Sequence, residues 1–201
     1  MKRSIADLIR YGRTGHMIYL RNLRAAAFLL IAGIFIMAWA SVVMAEEPSE
    51  SQVKAAFVYN FPKFIQWPNS TLPSGESKMT LCILGDDPLV DSLESLTGKI
   101  ISGRQLSVRR IKGPDDASRC QIVYIGKSER DQTRNILKGM KEGVLTIGEM
   151  NHFASLGGII NFVIVENKVS FEINIDAAER AGLKISSQLL KLAKIVKDGS
   201  R

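Results

Sequence analysis

Three segments of the sequence end in the same local pattern, which is two largely apolar residues followed by glycine and a charged residue. They are Ile83-Leu84-Gly85-Asp86, Tyr124-Ile125-Gly126-Lys127 and Thr146-Ile147-Gly148-Glu149. Polar segments of helix length alternate with these apolar runs, an arrangement typical of β-α-β units. Continuously apolar strands suit a parallel sheet that is covered on both faces. The pattern therefore predicts an α/β fold, a three-layer sandwich with a largely parallel sheet flanked by helices.

The segments around these ends indicate where the other elements lie. We expect strands over 79–84, 104–111, 120–125 and 143–147. The helices are expected over 51–67, 88–96 and 129–140. Pro62 should kink the first helix, and Asp87 is placed to cap the second.

The chain beyond Asn151 follows a different pattern. Apolar runs over 158–165 and 168–175 are separated by little more than Glu166-Asn167, which predicts a β-hairpin with one solvated face. A last helix is expected to begin near Ser186 or Ser187. Its predicted buried stripe consists of Leu189, Leu192, Ala193 and Val196. The predicted fold therefore ends in a hairpin plus a helix.

The first 45 residues have the composition of a secretory signal peptide. Six Lys and Arg residues precede an apolar run over 25–44, and Val43-Met44-Ala45 fits a cleavage site. Cleavage after Ala45 predicts one exported, periplasmic domain over 46–201, although Ala38-Trp39-Ala40 also fits. An uncleaved anchor is the alternative, because a run of about 20 apolar residues can span a bilayer.

Export changes what the charge of the chain means. The full chain is +7, yet six of its 27 basic and one of its 20 acidic residues lie in the first 45 positions, which leaves +2 for the rest. The one basic cluster there, Arg109-Arg110-Lys112, is short and suits a solvated strand end. The composition therefore argues against nucleic acid as a partner.

Cys82 and Cys120 are the only cysteines of the chain. In an oxidising compartment this pair predicts a disulfide, and closing a loop of roughly 39 residues contributes on the order of 4 kcal/mol in the chain-entropy model. Two separate buried thiols are the alternative. A zinc site usually needs four ligands, and His152 is the only histidine after the leader, so we expect no metal.

Aromatic residues are concentrated in the opening helix. They are Phe57, Tyr59, Phe61, Phe64 and Trp67. Five within 11 positions are more than one narrow core stripe requires, and aromatic residues dominate interface hot spots. We therefore treat this set as a candidate partner surface, with core packing as the alternative.

The three glycine-bearing strand ends also predict a ligand cleft. If the strands are parallel, these ends share the carboxyl edge of the sheet, where open α/β folds bind ligands. The candidate cleft residues are Asp86, Lys127, Ser128 and Glu149. In the alternative interpretation, glycine only permits the turn and the charges cap or solvate it.

The sequence contains no complete catalytic motif. Gly126-Lys127-Ser128 resembles the end of a P-loop, but Gln121 occupies the position of its first glycine. His152 could act as a base oriented by Glu149, but no nucleophile is identified beside it. The cysteines are too far apart for a C-x-x-C motif. We expect neither an enzyme nor a cofactor.

Three blocks of the sequence resemble the YfiR-like family of exported bacterial proteins. The first is KAAFVYNFPKFIQWP at 54–68, which is similar to the opening helix of that family. The others are GGIINF at 157–162 with VSFEIN at 169–174, and AGLKISS at 181–187. The likeness extends across essentially all of 46–196.

The resemblance implies a periplasmic regulator that often forms a homodimer. The best understood member of the family restrains an inner-membrane diguanylate cyclase by binding its periplasmic sensory part. Redox stress or sequestration by an outer-membrane lipoprotein lifts the restraint, after which cyclic di-GMP and biofilm formation rise. Cys82 and Cys120 match a structural disulfide of the family, whereas the second cysteine pair of some relatives is missing around 156–163. A small-ligand receptor that uses the carboxyl edge of the sheet is the alternative function.

Overall fold

One sheet of eight strands organises the described part of the chain. The computed structural model describes residues 47–199, so the predicted signal peptide and its cleavage site lie outside the described residues. In chain order the strands are β1 Ile65–Gln66, β2 Lys78–Leu84, β3 Ile100–Ile101, β4 Arg104–Ile111, β5 Ile122–Ile125, β6 Leu145–Gly148, β7 Ile160–Val165, β8 Lys168–Asn174, β9 Lys184–Ile185 and β10 Lys194–Val196. The α-helices are α1 Glu50–Asn60, α2 Val90–Glu94, α3 Thr133–Gly139, α4 Ile175–Arg180 and α5 Ser187–Leu190. Short 3₁₀ helices cover Phe61–Phe64, Pro114–Arg119 and Lys127–Gln132.

The sheet is largely parallel, as the sequence predicts. Its spatial order is β10-β8-β7-β6-β5-β2-β4-β3. Neighbouring strands from β4 through β2, β5 and β6 to β7 run parallel, and β10 runs parallel to β8. The pairs β3–β4 and β7–β8 are antiparallel, and β1 pairs with β9 in a separate antiparallel ladder.

Side chains of the central strands alternate between two hydrophobic cores. Leu81 and Ile83 of β2 belong to a core that also contains residues of α1 and α2. Cys82 and Leu84 belong to a second core, which contains residues of α3 and of the 3₁₀ helix Pro114–Arg119. We call these two sides the α1 face and the α3 face. Helices on both faces confirm the expected three-layer α/β sandwich.

The predicted hairpin is present and turns through two residues. Val165 at the end of β7 is paired with Lys168 at the start of β8. Glu166 and Asn167 between them have φ values of 49° and 59°. Two consecutive positive φ values are those of a type I′ turn, whose twist matches that of the flanking strands.

The opening helix is shorter than the sequence predicts. A capping box between Ser49 and Gln52 begins α1, which ends at Asn60 rather than continuing to Trp67. Pro62 has no N–H for the carbonyl of the preceding turn, and the chain continues as the 3₁₀ helix Phe61–Phe64. The two middle helices, α2 and α3, are likewise shorter than expected.

The prediction of a long last helix is wrong. Ser186 caps α5, as expected, but the helix ends at Leu190 and β10 then pairs with β8. Leu192 is 68% exposed instead of buried, because the chain has left the helix before it. The β-branched pair Ile195-Val196 favours a strand, and the edge of β8 supplies backbone partners for it.

Within residues 47–199, no helix is both long enough and apolar enough to cross a bilayer.

Candidate functional site

The three glycine-bearing strand ends meet at the carboxyl edge of the sheet. Because β2, β5 and β6 are adjacent and parallel, Gly85, Gly126 and Gly148 lie at the same edge. A Cβ on Gly126 would lie 2.8 Å from the backbone oxygen of Asp86. Glycine is therefore required where the two loops pass each other.

The structure joins the four predicted cleft residues in two separate pairs. Lys127 Nζ lies 3.0 Å from Glu149 Oε1. The backbone N–H of Asp86 donates to Ser128 Oγ at 2.8 Å. The carboxylate of Asp86 is 86% exposed and lies 3.2 Å from Arg110 Nη1.

A groove of about 380 Å³ lies at this edge, lined by Lys127 and Glu149 but not by Asp86 or Ser128. Arg130, the loop residues Met150 and Asn151, and residues of β7 complete its lining. The groove therefore contains half of the predicted set.

Lys54 is the residue of this edge that the sequence interpretation missed. It is 3% exposed, and its Nζ lies 2.7 Å from Glu149 Oε2 and also pairs with Glu50. Burial alone would lower the pKa of Lys54, but its hydrogen bonds to Glu149 and Glu50 and their charges raise it above its usual value. The hydrogen bond from Lys54 lowers the pKa of Glu50. Glu149 thus lies between two lysines and ties α1 to the end of β6.

Tyr124 places a phenol beneath this ion cluster. Its side chain is fully buried in β5, and its hydroxyl lies near the Asp87 carboxylate without a hydrogen bond of good geometry to any described residue. Burial raises the pKa of Tyr124, and the negative charges of Asp87 and Glu149 add to the effect. The phenol therefore stays neutral and able to donate.

Asp87 is held in place by backbone N–H groups. The prediction that Asp87 caps α2 is wrong, because the helix begins at Val90 with Leu89 at its N-cap position. The Asp87 Oδ1 instead accepts from Leu89 at 2.9 Å within the loop, and its Oδ2 accepts from Lys127 at 3.3 Å. These bonds use the carboxylate to join the loop after β2 to the loop after β5.

The aromatic residues of the opening segment divide between core and surface. Phe61 is 1% exposed, with its ring centroid 5.0 Å from that of Phe171 and 5.9 Å from that of Phe162. The half-buried Phe57 joins the same group, 5.5 Å from Phe171. Phe61 therefore serves the core, and a partner could not reach it without opening the fold.

The other three aromatic residues, Tyr59, Phe64 and Trp67, are half-buried and pack against the edge of the same core. The Tyr59 hydroxyl donates to the carbonyl of Ile100 at 2.7 Å, and Lys63 Nζ lies 4.6 Å from its ring centroid. A partner surface in this segment would have to use these three side chains.

Cys82 and Cys120 form a disulfide, which joins β2 to the end of the loop that precedes β5. Both residues are buried, with 0% and 2% of their surface exposed. The bond lies in the core of the α3 face, where an external thiolate would have no direct access. Its position is that of a structural crosslink.

The hairpin and β10 form a second polar surface. Asn161 accepts from the N–H of Met150 at 3.1 Å and donates to Glu172 Oε2 at 3.2 Å. Glu172 Oε1 in turn pairs with Lys194 Nζ at 3.0 Å. Asn161, Glu172 and Lys194 line a groove of about 570 Å³ beside β7, β8 and β10.

Large apolar side chains are exposed at the same end of the sheet. Ile164 and Val165 on β7 are 47% and 53% exposed. Leu192 and Ile195, beside and within β10, are 68% and 43% exposed.

The described residues contain no group of three or more His, Cys, Asp or Glu side chains arranged to hold a metal ion. His152 is exposed in the turn after β6 and has a φ of 66°.

Comparison with known proteins gives a structural match and a family match. A solved structure of a conserved domain protein from Vibrio cholerae is 14% identical with a TM-score of 0.47, and the match covers 75% of this chain. This chain spans 60% of the length of that protein. The family profile described as YfiR/HmsC-like matches residues 51–194, which confirms the resemblance of the three sequence blocks. This chain belongs to the YfiR/HmsC-like family.

Proposed function

We propose that this chain is an exported periplasmic regulator that binds and restrains an inner-membrane signalling protein. The observation that carries the proposal is the family match over residues 51–194, because YfiR-like proteins are periplasmic regulators. The proposed receptor is the periplasmic part of a diguanylate cyclase. Release of this restraint would raise cyclic di-GMP and promote biofilm formation.

A regulator of this kind needs a surface rather than a catalytic centre. It can shift the equilibrium between two receptor states only by as much as its binding free energies for the two states differ. The chemistry described above is compatible with that role, since the paired charges at the carboxyl edge stabilise α1 and the loops rather than present a nucleophile.

We assign the receptor contact to the exposed apolar end of the sheet. Ile164 and Val165 lie beside the polar groove of the hairpin, and together they provide apolar contact area with a polar border. Protein interfaces commonly have this composition. The half-buried Tyr59, Phe64 and Trp67 are the alternative contact in place of this surface. Ile100 lies beside them, because its carbonyl accepts from the Tyr59 hydroxyl.

Site-specific crosslinking in intact cells tests this assignment. A photoreactive residue at position 165 should crosslink to an inner-membrane protein with a periplasmic segment, which mass spectrometry then identifies. The matched control is position 100, because Ile100 is 57% exposed on β3 at the opposite edge of the sheet. Equal crosslinking from both positions, or none from 165, would contradict the assignment. An outer-membrane lipoprotein or a second copy of this chain at position 165 would instead identify another partner for this surface.

A small-ligand receptor at the carboxyl edge is a second candidate function. The observation in its favour is the groove beside Lys127 and Glu149, which has a volume of about 380 Å³. A thermal-shift screen of periplasmic metabolites should then find a ligand, and Lys127→Ala should abolish its effect. A shift that persists in this variant would place the ligand elsewhere.

A further inference from the structure

A separate cavity lies at the amino ends of β2 and β4, away from the glycine-bearing edge. Its volume is about 260 Å³. Residues of the 3₁₀ helix Phe61–Phe64, of β1, of the loop after it and of the turn between β3 and β4 line it. The buried apolar side chains of Ile65, Leu72 and Met79 form part of its walls. Sites for small molecules combine such apolar walls with a few polar groups.

Two buried N–H groups of the lining residues lack partners. Trp67 Nε1 and Arg104 Nε are shielded from solvent, yet within residues 47–199 neither has a hydrogen-bond acceptor. Both groups can only donate. A buried donor without an acceptor is costly, so an acceptor that enters the cavity would relieve two such costs at once.

The charges around the cavity favour an anion as the source of that acceptor. Lys63 and Arg104 line it, and no Asp or Glu of the described residues does. Lys63 Nζ already donates to Asn60 Oδ1 at 2.8 Å. Arg104 forms no salt bridge with any described residue, and its planar guanidinium matches a carboxylate better than a single point charge would.

We propose that this cavity binds a small organic carboxylate. Its apolar part lies against Ile65, Leu72 and Met79. Its oxygens accept hydrogen bonds from Trp67 Nε1 and Arg104 Nε after a rotation of the two side chains toward the cavity, because neither nitrogen is accessible from it in the free protein. The binding site is independent of the receptor contact assigned to Ile164 and Val165, because the cavity and that end of the hairpin are lined by different residues. The inference therefore stands or falls separately from the proposed function.

The indole N–H resonance of Trp67 reports directly on this proposal. The full chain would be expressed with its own leader, purified with an ¹⁵N label and titrated with benzoate, with acetate and with benzyl alcohol. The Trp67 resonance is identified as the one that Trp67→Phe removes. We expect benzoate to move it downfield saturably, acetate to do so more weakly, and benzyl alcohol to leave it in place.

Two arginine variants complete the test. Arg104→Met should weaken benzoate binding about tenfold or more, since a hydrogen bond to a charged group is lost. Arg110→Met is the matched control, because Arg110 lies on the same strand at its other end and pairs with Glu94. The affinity of the Arg110→Met variant for benzoate should equal that of the wild type. The absence of any indole shift, an equal shift with benzyl alcohol, or equal affinity in Arg104→Met and the wild type would overturn the proposal. Thermal unfolding of each variant verifies that it is folded.

Discussion

The ammonium group of Lys54 lies 2.7 Å from the carboxylate of Glu149, and the lysine side chain is only 3% exposed. This ion pair connects the opening helix to the carboxyl edge of the sheet. Lys127 shares the same carboxylate from the other side at 3.0 Å, but it is 41% exposed. The two lysines therefore provide a matched pair for measuring what burial contributes.

Lys54→Ala should lower the free energy of unfolding by about 2–4 kcal/mol, because it leaves Glu149 partly buried with one fewer cation and removes a packed alkyl chain. Lys127→Ala should cost about 0–1 kcal/mol, as exposed pairs do. Urea unfolding of both variants measures the difference. Equal losses would show that the buried pair does not anchor α1.

The sequence carried a signal for Lys54 that charge counting alone does not reveal. Lys54, Val58 and Phe61 follow one another at helical spacing, so the lysine occupies a core-facing position. Its partner Glu149 is 95 residues away, however, and the contact depends on how the sheet places the end of β6. Trp67 and Arg104 could not be paired from the sequence for the same reason.

The sheet was easier to predict than the chain after Leu190. β5 is apolar throughout and β2 is apolar from Leu81 onward, and each is followed by a glycine turn, so their short length indicates strands. The segment with Leu192, Ala193 and Val196 fits a helical stripe and also contains the β-branched pair Ile195-Val196. Pairing with the edge of β8 decides between these alternatives, and it is a tertiary contact.

Asp198 should make stability depend on pH in the acid range. Its hydrogen bond to Arg180 lowers the pKa of Asp198, against the opposing effect of burial and with help from Asn174. A lowered folded-state pKa adds stability above the unfolded value near 4, and this stability is lost as the pH falls through the folded value.

Asp198→Asn should therefore destabilise the protein near pH 7 by about 0.5–1 kcal/mol, a small effect because the pair is largely exposed. The difference from the wild type should shrink below about pH 4. Glu179→Gln, an exposed change on α4 beside the partner residue Arg180, is the control. Urea unfolding at a series of pH values measures this, and a difference that grows as the pH falls would contradict the assignment.

Removal of the disulfide should destabilise the fold without changing its architecture. Cys82→Ala with Cys120→Ala should lower the free energy of unfolding by about 2–4 kcal/mol, because the bond closes a long loop in the unfolded chain. Thermal unfolding of the exported protein checks this, and circular dichroism should remain the same. Free thiols at both positions in the exported wild type would contradict the structure.

Phe61 and Phe64 should separate the core from the surface within the aromatic segment. Phe61→Ala should cost about 3–5 kcal/mol, because it empties space among Phe57, Phe162 and Phe171. Phe64→Ala should cost about 1–2 kcal/mol, since that side chain is only half-buried. Chemical denaturation measures both, and a larger loss for Phe64 would reverse the assignment.

The central claim, that this chain restrains a membrane cyclase, is tested most directly by the cellular concentration of cyclic di-GMP. We compare a strain that lacks the gene with strains complemented by the wild type, by a variant with Ile164→Asp and Val165→Asp, and by the control Ile100→Asp. The account predicts a high concentration in the deletion and in the double variant, and a low one with the wild type and Ile100→Asp. A concentration that is the same in all four strains would contradict it.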